Sequence, residues 1–218
     1  MSVTEKNNTV AVWDPVVRYG HWALVAAFAV AYLSSEEDTG FPNALHVWAG
    51  YVTGGIVVFR IIWGFVGSPH ARFRDFAYGP VAAMRYLWNL ISGRARRYIG
   101  HSPAGAVMVF LLLFCLAGTV STGIVAYGQQ GHGLLAGIAT TTAATLRSVP
   151  GEDDDADEVR VGQSGEREES AMSEAHGALA NITLGLIVVH ILGVLLASVR
   201  HRENLIAAMF SGQKRTGN

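Results

Sequence analysis

The sequence predicts an all-α integral membrane protein, a four-helix bundle, and three observations carry that prediction. Half of its 218 residues are hydrophobic and only 15% are charged, against about 25% charged in an ordinary globular chain. Four apolar stretches each have the length that crosses a hydrocarbon core of ~30 Å at a rise of ~1.5 Å per residue. The charges are segregated between alternate connections instead of being spread along the chain. A single membrane domain over residues 1–218 accounts for all three.

The first span is expected at 16–35, VVRYGHWALVAAFAVAYLSS. The residues leading into it, MSVTEKNNTVAVWDPVVRYG, lack a basic region followed by a short apolar stretch and a small-residue cleavage site. No signal peptide is therefore expected, and the first helix is expected to be retained. The second span is 44–66, ALHVWAGYVTGGIVVFRIIWGFV, and the third 104–127, AGAVMVFLLLFCLAGTVSTGIVAY. Between them, 80–90 has helical spacing, with Tyr86 and Trp88 suited to the membrane interface. The fourth span is 175–199, AHGALANITLGLIVVHILGVLLASV. A buried helix of a soluble protein would explain any one of these segments, but four together argue against it.

Residues 128–174 read as an acidic extracytoplasmic loop, partly disordered. Its first half, GLLAGIATTTAATL, is weakly apolar and too short to span. Its second half, EDDDADEVRVGQSGEREES, has the low hydrophobicity and like-charge block of a solvated spacer or a docking segment.

Charge sets the expected topology. Residues 1–20, 67–103 and 200–218 hold Lys6, Arg18, Arg72, Arg74, Arg85, Arg94, Arg96, Arg97, Arg200, Arg202, Lys214 and Arg215, twelve basic residues against the four acids Glu5, Asp14, Asp75 and Glu203. The connections 36–43 and 128–174 carry thirteen acids and only Arg147, Arg160 and Arg167. Lys and Arg beside helix ends remain cytoplasmic, so both termini and 67–103 are expected inside. The formal net charge of −1 lacks the basic surplus of a nucleic-acid protein. The lone Cys115 excludes a disulfide framework, zinc spacing and covalent haem attachment.

Ionisable side chains at membrane depth are costly and mark function. Here they are His21, His46, Arg60, His176 and His190. His176 and His190 are fourteen residues apart, a spacing that returns to within about 40° of one helix face and separates the rings by ~21 Å along the axis. In the expected topology His21 is an inner residue and His46 an outer one, so each has a partner at its own depth, His21 with His190 and His46 with His176. Two bis-imidazole pairs suit two six-coordinate haem irons stacked across the bilayer. A zinc site would need four ligands around one point. Arg60 stands at the inner level, either as a partner for a haem propionate or as a cation reaching for the headgroups. Gly20, Gly50, Gly54, Gly55, Gly177, Gly185 and Gly193 beside these ligands suit the approach of a macrocycle and ordinary helix packing equally.

The segments WDPVVRYGHW, ALHVWAGY with FRIIWGFVG, IGHSPAGAVM, and HGALANITLGLIVVHILGVLLASVRHRENLIAAMFSGQK resemble the prokaryotic cytochrome b561 family, including the b-type cytochrome subunits of nickel-dependent hydrogenases. The resemblance covers roughly 12–127 and 174–215. It implies two haem b, axial-ligand roles for His21, His46, His176 and His190, and a multi-pass protein of the bacterial inner membrane. It also implies electron transfer between a quinone pool and a periplasmic partner. Two departures are a missing fifth span, typical of the hydrogenase subunits, and the acidic stretch 150–170.

The expected partners are lipid, quinone and a periplasmic redox protein such as a c-type cytochrome at the acidic outer face; a homodimer is compatible, nucleic acid is not. No side chain is assigned a catalytic role, and an electron-transfer subunit is favoured over a stand-alone enzyme. His101 and His201 are candidates for moving protons to a quinone, set against the ordinary reading of solvated surface histidines. Three other functions compete. A quinone-coupled oxidoreductase acting on superoxide is disfavoured by the acidic outer face, a membrane anchor of a hydrogenase or similar respiratory enzyme fits the resemblance, and an ion-coupled transporter lacks broken helices or internal repeats.

Overall fold

The computed structural model describes residues 9–35, 43–136 and 154–215. In chain order these form β1 (Thr9–Ala11), α1 (Pro15–Leu33), α2 (Ala44–Val66), a 3-10 turn (Phe73–Asp75), α3 (Pro80–Ile91), α4 (Pro103–Gln129), a second 3-10 turn (Gly133–Leu135), α5 (Asp154–His201), α6 (Leu205–Ser211) and β2 (Gln213–Arg215). The all-α class holds. Four helices are long and apolar enough to cross a membrane: Pro15–Leu33, Ala44–Val66, Pro103–Gln129, and Ala171–His201 within α5.

The helix ends follow local chemistry. Asp14 caps α1 by accepting from Val17 N at 2.8 Å, with Pro15 in the first turn where a missing N–H costs nothing. Asn43 caps α2 by accepting from Leu45 N at 2.6 Å. Gly79 and Pro80 open α3. Gly212, at φ 77°, ends α6 and donates its N–H to Ala208 O at 2.8 Å.

The last helix corrects the expected boundary at 175. Backbone from 154 to 174 is helical and continuous with the span. No proline follows Pro150, and acidic residues are favourable in a first helical turn, where they face the positive end of the dipole. The apolar pattern from 175 therefore marked only part of a longer helix, of which Ala171–His201 is long and apolar enough to cross a membrane. Residues 137–153, with most of the weakly apolar stretch, lie outside the described residues.

The chain divides into two compact units, residues 1–114 with 184–218, and residues 115–183. In the first, α1 and α2 pack side by side. β1 and β2 pair antiparallel, Val10 opposite Lys214, and so join the two ends of the chain. Trp22 stacks on Phe210 at 4.3 Å, and Arg18 donates to Phe210 O. The 67–103 segment closes on the same end: Arg97 pairs with Glu203 at 2.8 Å, Arg200 donates to Ile91 O at 2.7 Å, and Lys214 lies over the Trp13 ring. Helix α3 buries Ala83, Tyr86 and Leu90 and exposes Val81, Met84, Trp88 and Ile91, the two-faced pattern of a helix lying at an interface.

In the second unit, Thr183 is fully buried, donates to Leu179 O at 2.8 Å and faces Thr119 Oγ1 at 3.4 Å. Gly118 lets Leu179 approach, the small-residue contact common between membrane helices. Large apolar residues point outward on the spans, with Leu33 81%, Phe114 76% and Val199 75% exposed. In water that surface would be a liability, whereas in lipid it is the normal exterior.

Candidate functional site

The first unit brings two of the predicted ligands together. His21, in the second turn of α1, and His190 on α5 are both partly buried and lie within electrostatic reach of each other. His21 Nδ1 is buried and has no hydrogen-bond partner, and its ring meets Trp22 edge-on at 5.3 Å.

The other two histidines share a different arrangement. In the first unit His46 Nδ1 lies 2.8 Å from Ala31 O. In the second unit His176 Nδ1 lies 2.8 Å from Thr119 O. A carbonyl only accepts, so Nδ1 donates in both cases and the ring lone pair falls on Nε2. That is the tautomer in which an imidazole ligates a metal while its other nitrogen is held by a second shell. Ala31 sits in the last turn of α1, where carbonyls lack backbone partners; Ser34 Oγ also donates to Ala31 O at 3.3 Å, while Ser35 N donates to Tyr32 O at 3.4 Å. Gly123 makes room for the other ring, since a Cβ there would stand 2.8 Å from His176 Cε1 and 2.9 Å from Nδ1.

Arg60 turns toward the segment after α2 and does not reach outward. Its Nη2 donates to Ala71 O at 3.3 Å and its guanidinium carbon lies 5.2 Å from the centre of the Phe73 ring. Nη1 is buried without a partner, a donor suited to a carboxylate such as a haem propionate. Asp14 lies close enough to act on Arg60 electrostatically. Its carboxylate also accepts from Trp63 Nε1 at 3.2 Å and from Ser68 Oγ. Burial alone would raise the Asp14 carboxyl, but the hydrogen bonds from Ser68, Val17 N, Trp63 and Val16 N outweigh it and hold the group below its usual range.

These observations fit a haem: two imidazoles hold the ligating tautomer, a glycine leaves room beside one ring, and a buried guanidinium has a vacant donor. Among the described residues no group of three or more His, Cys, Asp or Glu could hold a metal ion by itself. Paired imidazoles on a porphyrin-bound iron require no such group.

Sequence reasoning missed a small cavity of about 200 Å³ lined by His70, Asp75, Phe76, Tyr78, Tyr98, Gly100 and His101. His101 is not the solvated histidine weighed above. It lies between Trp13 at 4.6 Å and Phe76 at 4.1 Å, its Nδ1 unpartnered. Burial, then the charges of Arg60, Lys214 and His70, push its pKa down to about 3. It is neutral at physiological pH, so it can hydrogen-bond but cannot act as an imidazolium acid. His201 Nε2 lies 3.3 Å from Tyr86 Oη. The segment IGHSPAGAVM contains His101, yet nothing in its spacing announces the aromatic enclosure.

Four apolar spans with histidines placed in this way define a membrane-bound b-type cytochrome. The chain belongs to the prokaryotic cytochrome b561 family, whose model matches residues 12–212. Membership implies haem b as the cofactor. It is 25% identical over 154 residues to a protein of Azotobacter vinelandii named probable Ni/Fe-hydrogenase B-type cytochrome subunit, covering 59% of this chain and 62% of that protein. Proteins of the same name from Bradyrhizobium diazoefficiens and Cupriavidus necator are 26% identical (58% and 60% covered) and 25% identical (54% and 58% covered). The chain thus spans about six tenths of the length of these relatives. No solved structure matches it.

Proposed function

We propose that the chain binds two haem b groups and carries electrons across the bacterial inner membrane between a redox protein at the outer face and a quinone pool. His21 and His190 ligate the inner haem, His46 and His176 the outer one, and Arg60 holds a propionate of the inner haem. Both termini lie in the cytoplasm. When bound, haem supplies a one-electron redox centre tuned by its ligands and surroundings. The chain's own part is to supply the imidazoles in the ligating tautomer, to bury them and to offer a guanidinium to a carboxylate. The observation that carries the reading is the mutual reach of His21 and His190 on different helices of one unit, at the depths that the charge pattern assigns them.

The cavity beside His101 is the place assigned to a quinone ring: Tyr78 and Tyr98 offer hydroxyls, His101 a neutral imidazole, and His201 beside Tyr86 is the candidate for proton passage. The names of the relatives favour one particular partner class, a nickel–iron hydrogenase for which this chain is the membrane anchor. A c-type cytochrome docked on the acidic outer segment is the alternative. Purification in mild detergent with a reduced-minus-oxidised spectrum tests the central reading. Two b haems per chain are expected, and a haem-free protein sinks it. A hydrogenase that co-purifies selects the anchor role, whereas rapid reduction of added cytochrome c without one selects the other.

A further inference from the structure

The cavity beside His101 has two imidazoles in its wall, and they differ in access. His101 is enclosed between Trp13 and Phe76, and its Nδ1 is buried without a partner. His70 lines the same cavity while remaining exposed to solvent. One wall residue thus faces water and the cavity at once. The passage through His201 and Tyr86 meets the cavity only at Tyr98, whose ring lies edge-on to Tyr86 at 5.7 Å.

Local backbone places His70 in the wall. It stands at φ 69°, in the left-handed region that a non-glycine residue seldom occupies, a conformation that concentrates at functional sites. Its ring lies against the backbone of Gly100, where an added Cβ would be 3.4 Å from His70 Nδ1. The other groups that face it are differently engaged. Asp75 is already paired with Arg72 and Arg74, each at 3.7 Å. Tyr78 and Tyr98 contribute phenols. His101 is kept neutral, first by burial and then by the charges of Arg60, Lys214 and His70. Among these side-chain types only an imidazole changes charge near neutral pH, and of the two imidazoles only His70 meets bulk water. All of these residues belong to the first compact unit.

We propose, on the quinone assignment made above, that His70 is the proton-exchanging residue of this cavity, the group through which a quinone bound beside His101 gains or loses a proton to the water outside. Oxidation of one quinol releases two electrons, which pass singly to ferric haem, and two protons, one from each O–H bond that breaks. The two hydroxyls stand at opposite ends of the ring. One proton forms an N–H bond on the His70 imidazole and leaves from there to water. The other leaves past Tyr98, beyond which stand Tyr86 and His201. Reduction of a quinone runs the same steps in reverse.

The test follows haem reduction in the purified holoprotein by stopped flow after mixing with a short-chain ubiquinol, in the wild type, His70→Gln and His70→Ala. Both variants should slow reduction about tenfold or more, within the ~10²-fold and upward that a positioned acid–base group contributes, at an unchanged half-saturating quinol concentration. Imidazole added to the buffer should restore rate to His70→Ala, because the position is open to water, and leave the wild type as it is. A second readout needs no turnover: carbethoxylation of His70 by diethyl pyrocarbonate, followed by peptide mass, should be slowed by added short-chain ubiquinone.

A wild type whose haems the quinol does not reduce overturns the quinone assignment and this proposal with it. A reducible wild type with equal rates in both variants, or a slow His70→Ala that imidazole fails to restore, overturns this proposal alone. Should the variants come without haem, carbethoxylation of the wild type decides: a His70 that the quinone leaves unprotected overturns the proposal, and a protected one supports it.

Discussion

His46 near the start of α2 donates its Nδ1 proton to the carbonyl of Ala31 near the end of α1, across 2.8 Å. One hydrogen bond therefore does two things. It adds a second donor to an end-of-helix carbonyl that Ser34 Oγ also reaches at 3.3 Å, and it fixes which imidazole nitrogen is left to bind a metal.

The ligand assignment predicts a spectral grouping. His46→Ala and His176→Ala should abolish the same component of the low-temperature difference spectrum, and His21→Ala and His190→Ala the other. Each variant should keep roughly half of the wild-type absorbance. A component lost in common by His46→Ala and His190→Ala would break the pairing.

Stability should depend on pH through His101. Its folded pKa of about 3 lies below the ordinary histidine value of 6.5, so between those values the unfolded chain binds more protons. Stability therefore rises with pH across the window and is lost as pH falls from about 6.5 toward 3. At ~1.36 kcal/mol per unit, the loss attributable to this group between pH 7 and pH 5 is on the order of 2 kcal/mol. Thermal melts in detergent should show it, and His101→Phe, which keeps the contact with Phe76 and Trp13, should flatten the slope.

Arg60→Met should be informative because it keeps an unbranched apolar stem while removing the charge and the donors. It removes the contact over Phe73 and the bond to Ala71 O, a loss of about 1–2 kcal/mol. Without the cation, the midpoint of the haem assigned to His21 and His190 should fall. Arg60→Lys, which keeps the charge and loses the fork, should restore most of the midpoint and only part of the stability. An unchanged midpoint in Arg60→Met would remove Arg60 from the haem site.

Gly64→Ala tests the packing behind Arg60. A Cβ at Gly64 would run into the Phe73 ring, which carries the Arg60 contact. Overpacking of this kind costs about 1–3 kcal/mol. The double variant with Phe73→Leu should recover part of the loss in a thermal melt, and a fully neutral Gly64→Ala would show that the ring is free to move.

The spans were legible because membrane insertion depends on length and composition, which are local properties of the sequence. Expected segments 16–35, 44–66 and 104–127 correspond closely to α1, α2 and α4. The fourth was legible only as an apolar stretch. Its acidic N-terminal extension is helical despite having no apolar stripe, because it propagates a helix already nucleated in the apolar span and contains no proline to stop it. The clasp of β1 with β2 left no signal at all, since each strand has three residues and its partner is at the other end of the chain.

By itself the sequence determined the class of protein, the number of spans and the set of ionisable groups at membrane depth, because each follows from what lipid tolerates at a given position. The tertiary structure decided how those groups are held. Ala31 is 15 residues from His46 and Thr119 is 57 from His176, and neither carries a side chain that marks it as a partner. The interaction is made by a backbone carbonyl, which every residue possesses. Only the packing of one helix against another selects which carbonyl an imidazole meets, just as only the fold around Phe73 and Ala71 turns Arg60 inward and the rings of Trp13 and Phe76 enclose His101.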